Sequence, residues 1–146
     1  MDYVKYEKLH ENARLPTQAT SGSTGLDIYA LEDVAMHIGD ILAIRTGLKL
    51  DLSNLPKGAD VQIRSRSGLS LNHGIVVLNS PGTIDRDYRG EVKVILMNYG
   101  DYIYQIRAGD KIAQLVIGMS IKLPWFPGEV SEDTDRGAGG FNSTGR

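Results

Sequence analysis

Apolar and polar residues alternate along Val4 to Leu9, Leu48 to Leu52 and Ala59 to Arg64, the two-residue period of strands that bury one face. Denser apolar runs at Ile75 to Leu78 (IVVL), Val92 to Met97 (VKVILM), Tyr102 to Ile106 (YIYQI) and Ile112 to Met119 (IAQLVIGM) predict further strands. No long window carries a helical stripe. The pattern allows at most one short helical turn, near Leu69 to Asn72, where SGLSLN breaks the alternation. Glycines at Gly39, Gly47, Gly58, Gly74, Gly82, Gly90, Gly100, Gly109 and Gly118 fall mostly between the runs and predict turns. Many short strands separated by glycine turns make an all-β sandwich, jelly roll or barrel.

Length and composition narrow this to one domain. The 146 residues show no internal repeat and suffice to bury a core without disulfides or a structural metal. With 16 basic against 18 acidic side chains, no strong field draws the chain to nucleic acid or an anionic membrane. Cysteine is absent, which excludes disulfides, thiolate zinc sites and cysteine nucleophiles. The opening MDYVKYEKLHENA lacks the apolar stretch of a secretory signal, and every apolar run is shorter than the ~20 residues that span a bilayer. A soluble, cytoplasmic protein is expected.

The texture changes after LPWFPG. From Gly128 to Arg146 the apolar residues are Val130, Ala138 and Phe141 alone, too few to pack a core. The tail nevertheless carries RGAGGFNSTG, which suits backbone N–H groups wrapping phosphates while a ring stacks on a base. Standard phosphate loops are missing: GxxxxGK[ST] does not occur, and Gly137, Gly139 and Asn142 miss the last glycine of GxGxxG. His10, His37 and His73 are scattered without metal-binding spacing, and no GxSxG elbow marks a serine hydrolase.

Five segments combine glycine with charged or hydroxyl residues: STGLDIYA (Ser23 to Ala30), RSGLS (Arg66 to Ser70), PGTIDRDYRG (Pro81 to Gly90), GDKIAQLV (Gly109 to Val116) and RGAGGFNSTG (Arg136 to Gly145). Each alone has an ordinary explanation as a turn or a strand entry. In this order they resemble the five motifs of the homotrimeric dUTPase family. The resemblance runs from Leu15 and Pro16, through ATSGSTGLD, to the STG at Ser143 to Gly145. Departures stand at Ser65, where the family usually has proline, at Thr24 and Ser70, where alanine is usual, and at Asn142, where glycine is usual.

The resemblance implies a distorted jelly-roll or β-barrel core over residues 1–127 with at most one short helix, and a flexible glycine-rich arm over residues 128–146 closing on the active site. It implies Mg2+-assisted hydrolysis of dUTP to dUMP and pyrophosphate, by attack of water on the α-phosphate. That activity limits uracil in DNA and supplies dUMP for thymidylate synthesis. Such a reaction needs a positioned water, a carboxylate to take its proton and positive charge on the phosphate oxygens. By resemblance Asp85 is the carboxylate, and Tyr88 packs against the deoxyribose where a 2′-hydroxyl would collide. The uracil lies against Asn79 to Ile84, including Gly82 and Thr83, with Lys93 reaching the same pocket. Arg66, Ser67 and Gly68 form the phosphate-binding turn, with Gln114 nearby. Asp27 meets magnesium through water. In the tail, Arg136, Ser143 and Thr144 close on the β and γ phosphates while Phe141 stacks on uracil.

The family also implies a homotrimer whose sites combine segments of different subunits, with no nucleic-acid or membrane partner. Two rivals exist. A dCTP deaminase of the same fold needs a glutamate base beside the pyrimidine, but no segment matches that group, and Glu91, the one glutamate near the proposed base pocket, follows Tyr88, Arg89 and Gly90 in the dUTPase manner. A non-catalytic nucleotide sensor is opposed by the intact set Asp85, Tyr88, Gln114 and Arg136.

Overall fold

The computed structural model describes residues 2–140. Eleven strands and one helix follow one another as β1 (Lys5–Lys8), β2 (Thr17–Gln18), β3 (Leu26–Tyr29), β4 (Val34–Met36), β5 (Ile41–Asp51), β6 (Ala59–Arg64), α1 (Ser67–His73), β7 (Ile75–Val77), β8 (Gly82–Ile84), β9 (Glu91–Asn98), β10 (Tyr104–Ile106) and β11 (Lys111–Met119). They form a four-stranded sheet in the order β1-β5-β9-β7, a five-stranded sheet β2-β3-β11-β6-β8 and a small pair β10-β4. Every pairing among them is antiparallel.

The inner faces follow the two-residue period read from the sequence. In β6, Ala59, Val61 and Ile63 are buried and alternate with Asp60, Gln62 and Arg64. In β9, Val92, Val94 and Leu96 point inward, and Asn98 completes the face. They meet Ile28, Ile44, Ile75, Ile112 and Leu115 in one core, with Met36 and Ile106 added by the small pair. Burying a side chain such as Leu96 contributes about 1.5–3 kcal/mol. The result is the expected jelly-roll-like all-β fold.

Several elements differ from the pattern-based reading. The run at Leu48 to Leu52 is the end of an 11-residue strand beginning at Ile41. Gly47, expected in a turn, lies inside that strand with φ +70°, where the register against β9 shifts between Arg45 and Lys49. An added Cβ there would come within 2.9 Å of Ala13 Cβ, so glycine permits both the bulge and the close packing. The strand expected over Tyr102 to Ile106 begins at Tyr104, and β3 and β4 were not marked by alternation. β1 was expected to bury one face, but all four of its residues are exposed.

Among the described residues the single helix, seven residues long, forms one of several crossings between the sheets, running from β6 in one to β7 in the other. Leu69 anchors it to the core, and Gly74 ends it in the left-handed region at φ +68°. After Met119 the chain carries no further regular element through residue 140. The composition change had placed the end of the core at residue 127. In the structure the last strand ends earlier, and Trp125 and Phe126 stand 97% and 84% exposed.

Candidate active site

Two groups of the expected residues come together, and they lie apart. The first is built across three adjacent strands. Gln114 of β11 pairs with Asp27 of β3 on one side and with Arg64 of β6 on the other. Asp27 is only 4% exposed. One of its oxygens lies 3.2 Å from Arg66 Nε and the other 2.8 Å from Lys111 Nζ. Arg66 also donates from Nη1 to the Lys111 carbonyl at 3.0 Å. A buried carboxylate thereby fixes two cations at the mouth of α1, with exposed Ser67 and Gly68 following directly. Gln114 packs over Gly25, where an added Cβ would sit 3.2 Å from its side chain.

Two departures from the family pattern acquire local roles here. Ser65 accepts a hydrogen bond from the Val77 N–H at 2.8 Å through its hydroxyl, tying β6 to β7. Ser70 donates to the Arg66 carbonyl at 3.0 Å, within the first turn of α1.

The second group is the segment from Asn79 to Gly90. The Ser80–Pro81 bond is cis. Gly82 to Ile84, expected as part of a turn, is a short strand paired on one side with Ile63, Gln62 and Val61 of β6. It forms the edge of the five-stranded sheet, so its outer backbone groups face away from the ladder. A hollow of about 60 Å³ beside it is lined by Asn79, Gly82, Thr83, Ile84 and Lys93, among others. Asn79 lies against Gly82, where an added Cβ would approach its side-chain amide to 3.3 Å.

Asp85 follows at once and is exposed. It borders a larger hollow of about 590 Å³ together with Lys57, Asp60, Arg86 and Lys122. The turn closes with the Tyr88 N–H donating to the Asp85 carbonyl at 3.1 Å. Tyr88 donates from its hydroxyl to the Glu91 carbonyl at 3.0 Å and lays its ring across Gly90, where an added Cβ would stand 2.6 Å from Cζ. Only glycine leaves room for the ring. The Glu91 carboxylate is engaged by Arg45 Nε at 3.2 Å and by the Gly47 N–H at 2.9 Å. It is therefore not free to act as a deaminating base.

Asp85 and the Arg66 cluster occupy opposite ends of β6, and the second group runs between them, with Gly82 opposite Ile63. Ile84 is opposite Val61, so Asp85 falls beside Asp60, whereas Gln114 is opposite Arg64. From Asp60 to Arg66 the chain covers roughly 20 Å at about 3.3 Å per residue. Arg136 belongs to neither group: it donates from Nε to the Gly139 carbonyl at 2.8 Å within the tail. Phe141, Asn142, Ser143 and Thr144 lie outside the described residues. Among the described residues no cluster of three His, Asp or Glu side chains could cage a metal, and no helix is long and apolar enough to cross a membrane. Sequence reasoning missed Lys111 as the second partner of Asp27, because the pairing depends on strand register.

The dUTPase family model matches residues 11–145. A deoxyuridine 5′-triphosphate nucleotidohydrolase of Helicobacter pylori (strain Shi470) is 45% identical over 142 residues, covering 97% of this chain and 96% of that protein. The corresponding protein of Anaplasma marginale is 50% identical over 133 residues, or 90% and 88% of the two chains. Among solved structures, a mutant dUTPase of Staphylococcus bacteriophage 80alpha with dUpNHpp superposes with a TM-score of 0.88 at 25% identity, covering 100% of both chains. A mutant dUTPase from phage phi11 of S. aureus, whose structure describes coordination of a structural Mg(II) ion, gives a TM-score of 0.75 at 26% identity, covering 91% of this chain and all of that one. With the family model spanning nearly its whole length and such relatives matched end to end, the chain belongs to the dUTPase family.

Proposed function

We propose that this protein hydrolyses dUTP to dUMP and pyrophosphate, keeping uracil out of DNA and supplying dUMP for thymidylate synthesis. The observation that carries the reading is the continuity of edge strand, carboxylate and tyrosine. Within twelve residues the chain presents free backbone groups beside Asn79, then Asp85, then Tyr88 over Gly90.

The outer edge of β8 offers N–H and C=O groups that complement the uracil N3–H and carbonyls. Cytosine presents the reverse pattern at N3 and C4, leaving buried groups unpaired at about 1–3 kcal/mol each. Asp85 accepts the proton of the attacking water. Tyr88 packs on the deoxyribose, and Lys93 borders the base hollow. Arg66, Ser67, Gly68 and Gln114 hold phosphate oxygens through charge-assisted and amide hydrogen bonds. The tail supplies Arg136, Phe141, Ser143 and Thr144 as a closing arm over residues 128–146, which excludes water from the phosphates.

Both oxygens of Asp27 are occupied by cations, and no described cage of carboxylates exists. With its oxygens so held, Asp27 would meet the hydration shell of Mg2+ carried in by the nucleotide only as Arg66 and Lys111 turn to the phosphates. When bound, the ion supplies charge neutralisation on the phosphate oxygens.

The spacing along β6 supports assembly. Asp85 must reach the water within about 3 Å, yet it lies at the far end of the strand from Arg66. Within one chain the two stand roughly 20 Å apart along the backbone, at about 3.3 Å per residue. A homotrimer, in which the Asp85 turn of one copy faces the Arg66 cluster of another, resolves the separation. We place the enzyme in the cytoplasm on its lack of cysteine and the polar character of MDYVKYEKLHENA.

Parallel assays of pyrophosphate release from dUTP, dCTP, dTTP and UTP test the assignment. Dominant cleavage of dUTP is expected. Comparable turnover of UTP, or ammonia release from dCTP, would overturn it.

A further inference from the structure

The position of Asp85 is not explained by the sheet that precedes it. The β8–β6 ladder ends at the pair Ile84 and Val61, and β8 is an edge strand. Past Ile84, the ladder places no further constraint on the backbone. A carboxylate that must activate one water needs a defined position, since a displacement of about 1 Å costs on the order of 10²-fold in rate.

Arg86, the next residue, supplies the missing constraint. Its Nη1 donates to the carbonyls of Leu55 at 2.8 Å and Pro56 at 3.0 Å, and its Nη2 donates to the carbonyl of Ser53. One guanidinium thus gathers three carbonyl oxygens of the β5–β6 connection. That connection is itself anchored. Leu52 and Leu55 are buried in the core, the Leu55 N–H donates to the Leu52 carbonyl at 3.1 Å, and the Ser53 N–H donates to Asp51 at 2.9 Å. Arg89 adds a second tie, with Nη1 donating to the Arg86 carbonyl at 2.8 Å and Nη2 lying 3.1 Å from Asp51.

Resting on the proposed function, we infer that Arg86 is a positioning residue that fastens the Asp85 turn to the Ser53–Pro56 segment. The chemistry of the side chain explains the choice of arginine. A planar fork with five donors spans several fixed carbonyls at once, whereas a lysine ammonium on a flexible stem reaches fewer in a defined plane. Arg86 touches neither base nor phosphate in this scheme. Its effect passes through the backbone of the residue before it.

The test compares wild type, Arg86→Ala, Arg86→Lys and Asp85→Asn as full-length assembled enzyme. For Arg86→Ala, kcat with dUTP falls about 10- to 100-fold while KM changes less than about threefold. Amide hydrogen exchange quickens at residues 85–90 but not in β6 or β9, and added guanidinium ion restores part of kcat. Arg86→Lys loses less than Arg86→Ala. A folded Arg86→Ala enzyme with wild-type kcat, or a loss confined to KM, would overturn the inference. If Arg86→Ala does not fold, wild-type kcat and exchange in Arg86→Lys would overturn it equally. Absence of dUTP turnover in wild type would strike the proposed function instead. The exchange comparison would still decide whether Arg86 holds the turn.

Discussion

The two ends of β6 solve the problem of holding a functional side chain in different ways. At the Arg64 end, Asp27, Lys111 and Gln114 sit on strands of one sheet with Arg66 at the start of α1, and a buried carboxylate locks the cations in place. At the Asp60 end, Asp85 projects from an exposed turn beyond the last ladder pair, held by guanidiniums that grip carbonyl oxygens. The contrast teaches a division of labour. On the proposed function, the groups assigned to the triphosphate are preorganised by ion pairs around a buried carboxylate, whereas the carboxylate assigned to the water stands on an exposed turn.

The comparison breaks first at Asp85. Asp85→Asn should keep nucleotide binding and lose turnover by about 10²–10⁴-fold, because an amide cannot take the proton. Near-normal kcat would remove Asp85 from its role. Mixing inactive Asp85→Asn chains with inactive Arg66→Ala chains, after denaturation and joint refolding, should regenerate activity that neither variant has. Failure of the mixture to recover, with assembly verified by sedimentation, would show that each site draws Asp85 and Arg66 from a single chain and would overturn the shared site.

Next in size is the tail. Ending the chain at Pro127 should leave a folded assembly with hydrolysis reduced by about a hundredfold, since arm closure contributes through water exclusion and phosphate contacts. Unfolding of the truncated chain in a thermal melt would show the segment to be part of the core.

Asp27→Ala should lower unfolding free energy by about 2 kcal/mol. That is below the 3–5 kcal/mol typical of a broken buried pair, because Arg66 and Lys111 keep solvent-facing sides. Denaturant titration measures it, and an unchanged midpoint would show that the ion pairs do not organise the sheet-borne end.

The smallest effect is expected at Asp51, beneath the Arg86 tie. The Ser53 N–H and then the Ser53 side chain hold its carboxyl below the ordinary carboxylate value, with a lesser contribution from Arg89. A depressed folded pKa stabilises above the unfolded value of about 3.9 and is lost as pH falls through the folded one. The difference in Tm between wild type and Asp51→Asn should therefore shrink below about pH 4. A pH-independent difference would sever Asp51 from the turn.

Sequence periodicity alone determined the all-β class, because inward and outward residues alternate strictly in β6 and β9. The resemblance of the ordered glycine-flanked motifs to the dUTPase family also singled out Asp85, Tyr88, Arg66 and Gln114 as candidates. What the pattern could not reach was any feature set by register or by distant backbone. The bulge at Gly47, the edge position of β8 and the Lys111 contact to Asp27 arise only when strands far apart in sequence are laid side by side. The same holds for Arg86, whose partners are carbonyl oxygens some thirty residues earlier. Every residue carries a carbonyl, so no residue type marks the ones that a guanidinium will choose. Local order follows from side-chain chemistry, whereas the separation of the two site halves along β6 follows from strand pairing, which only the folded chain defines.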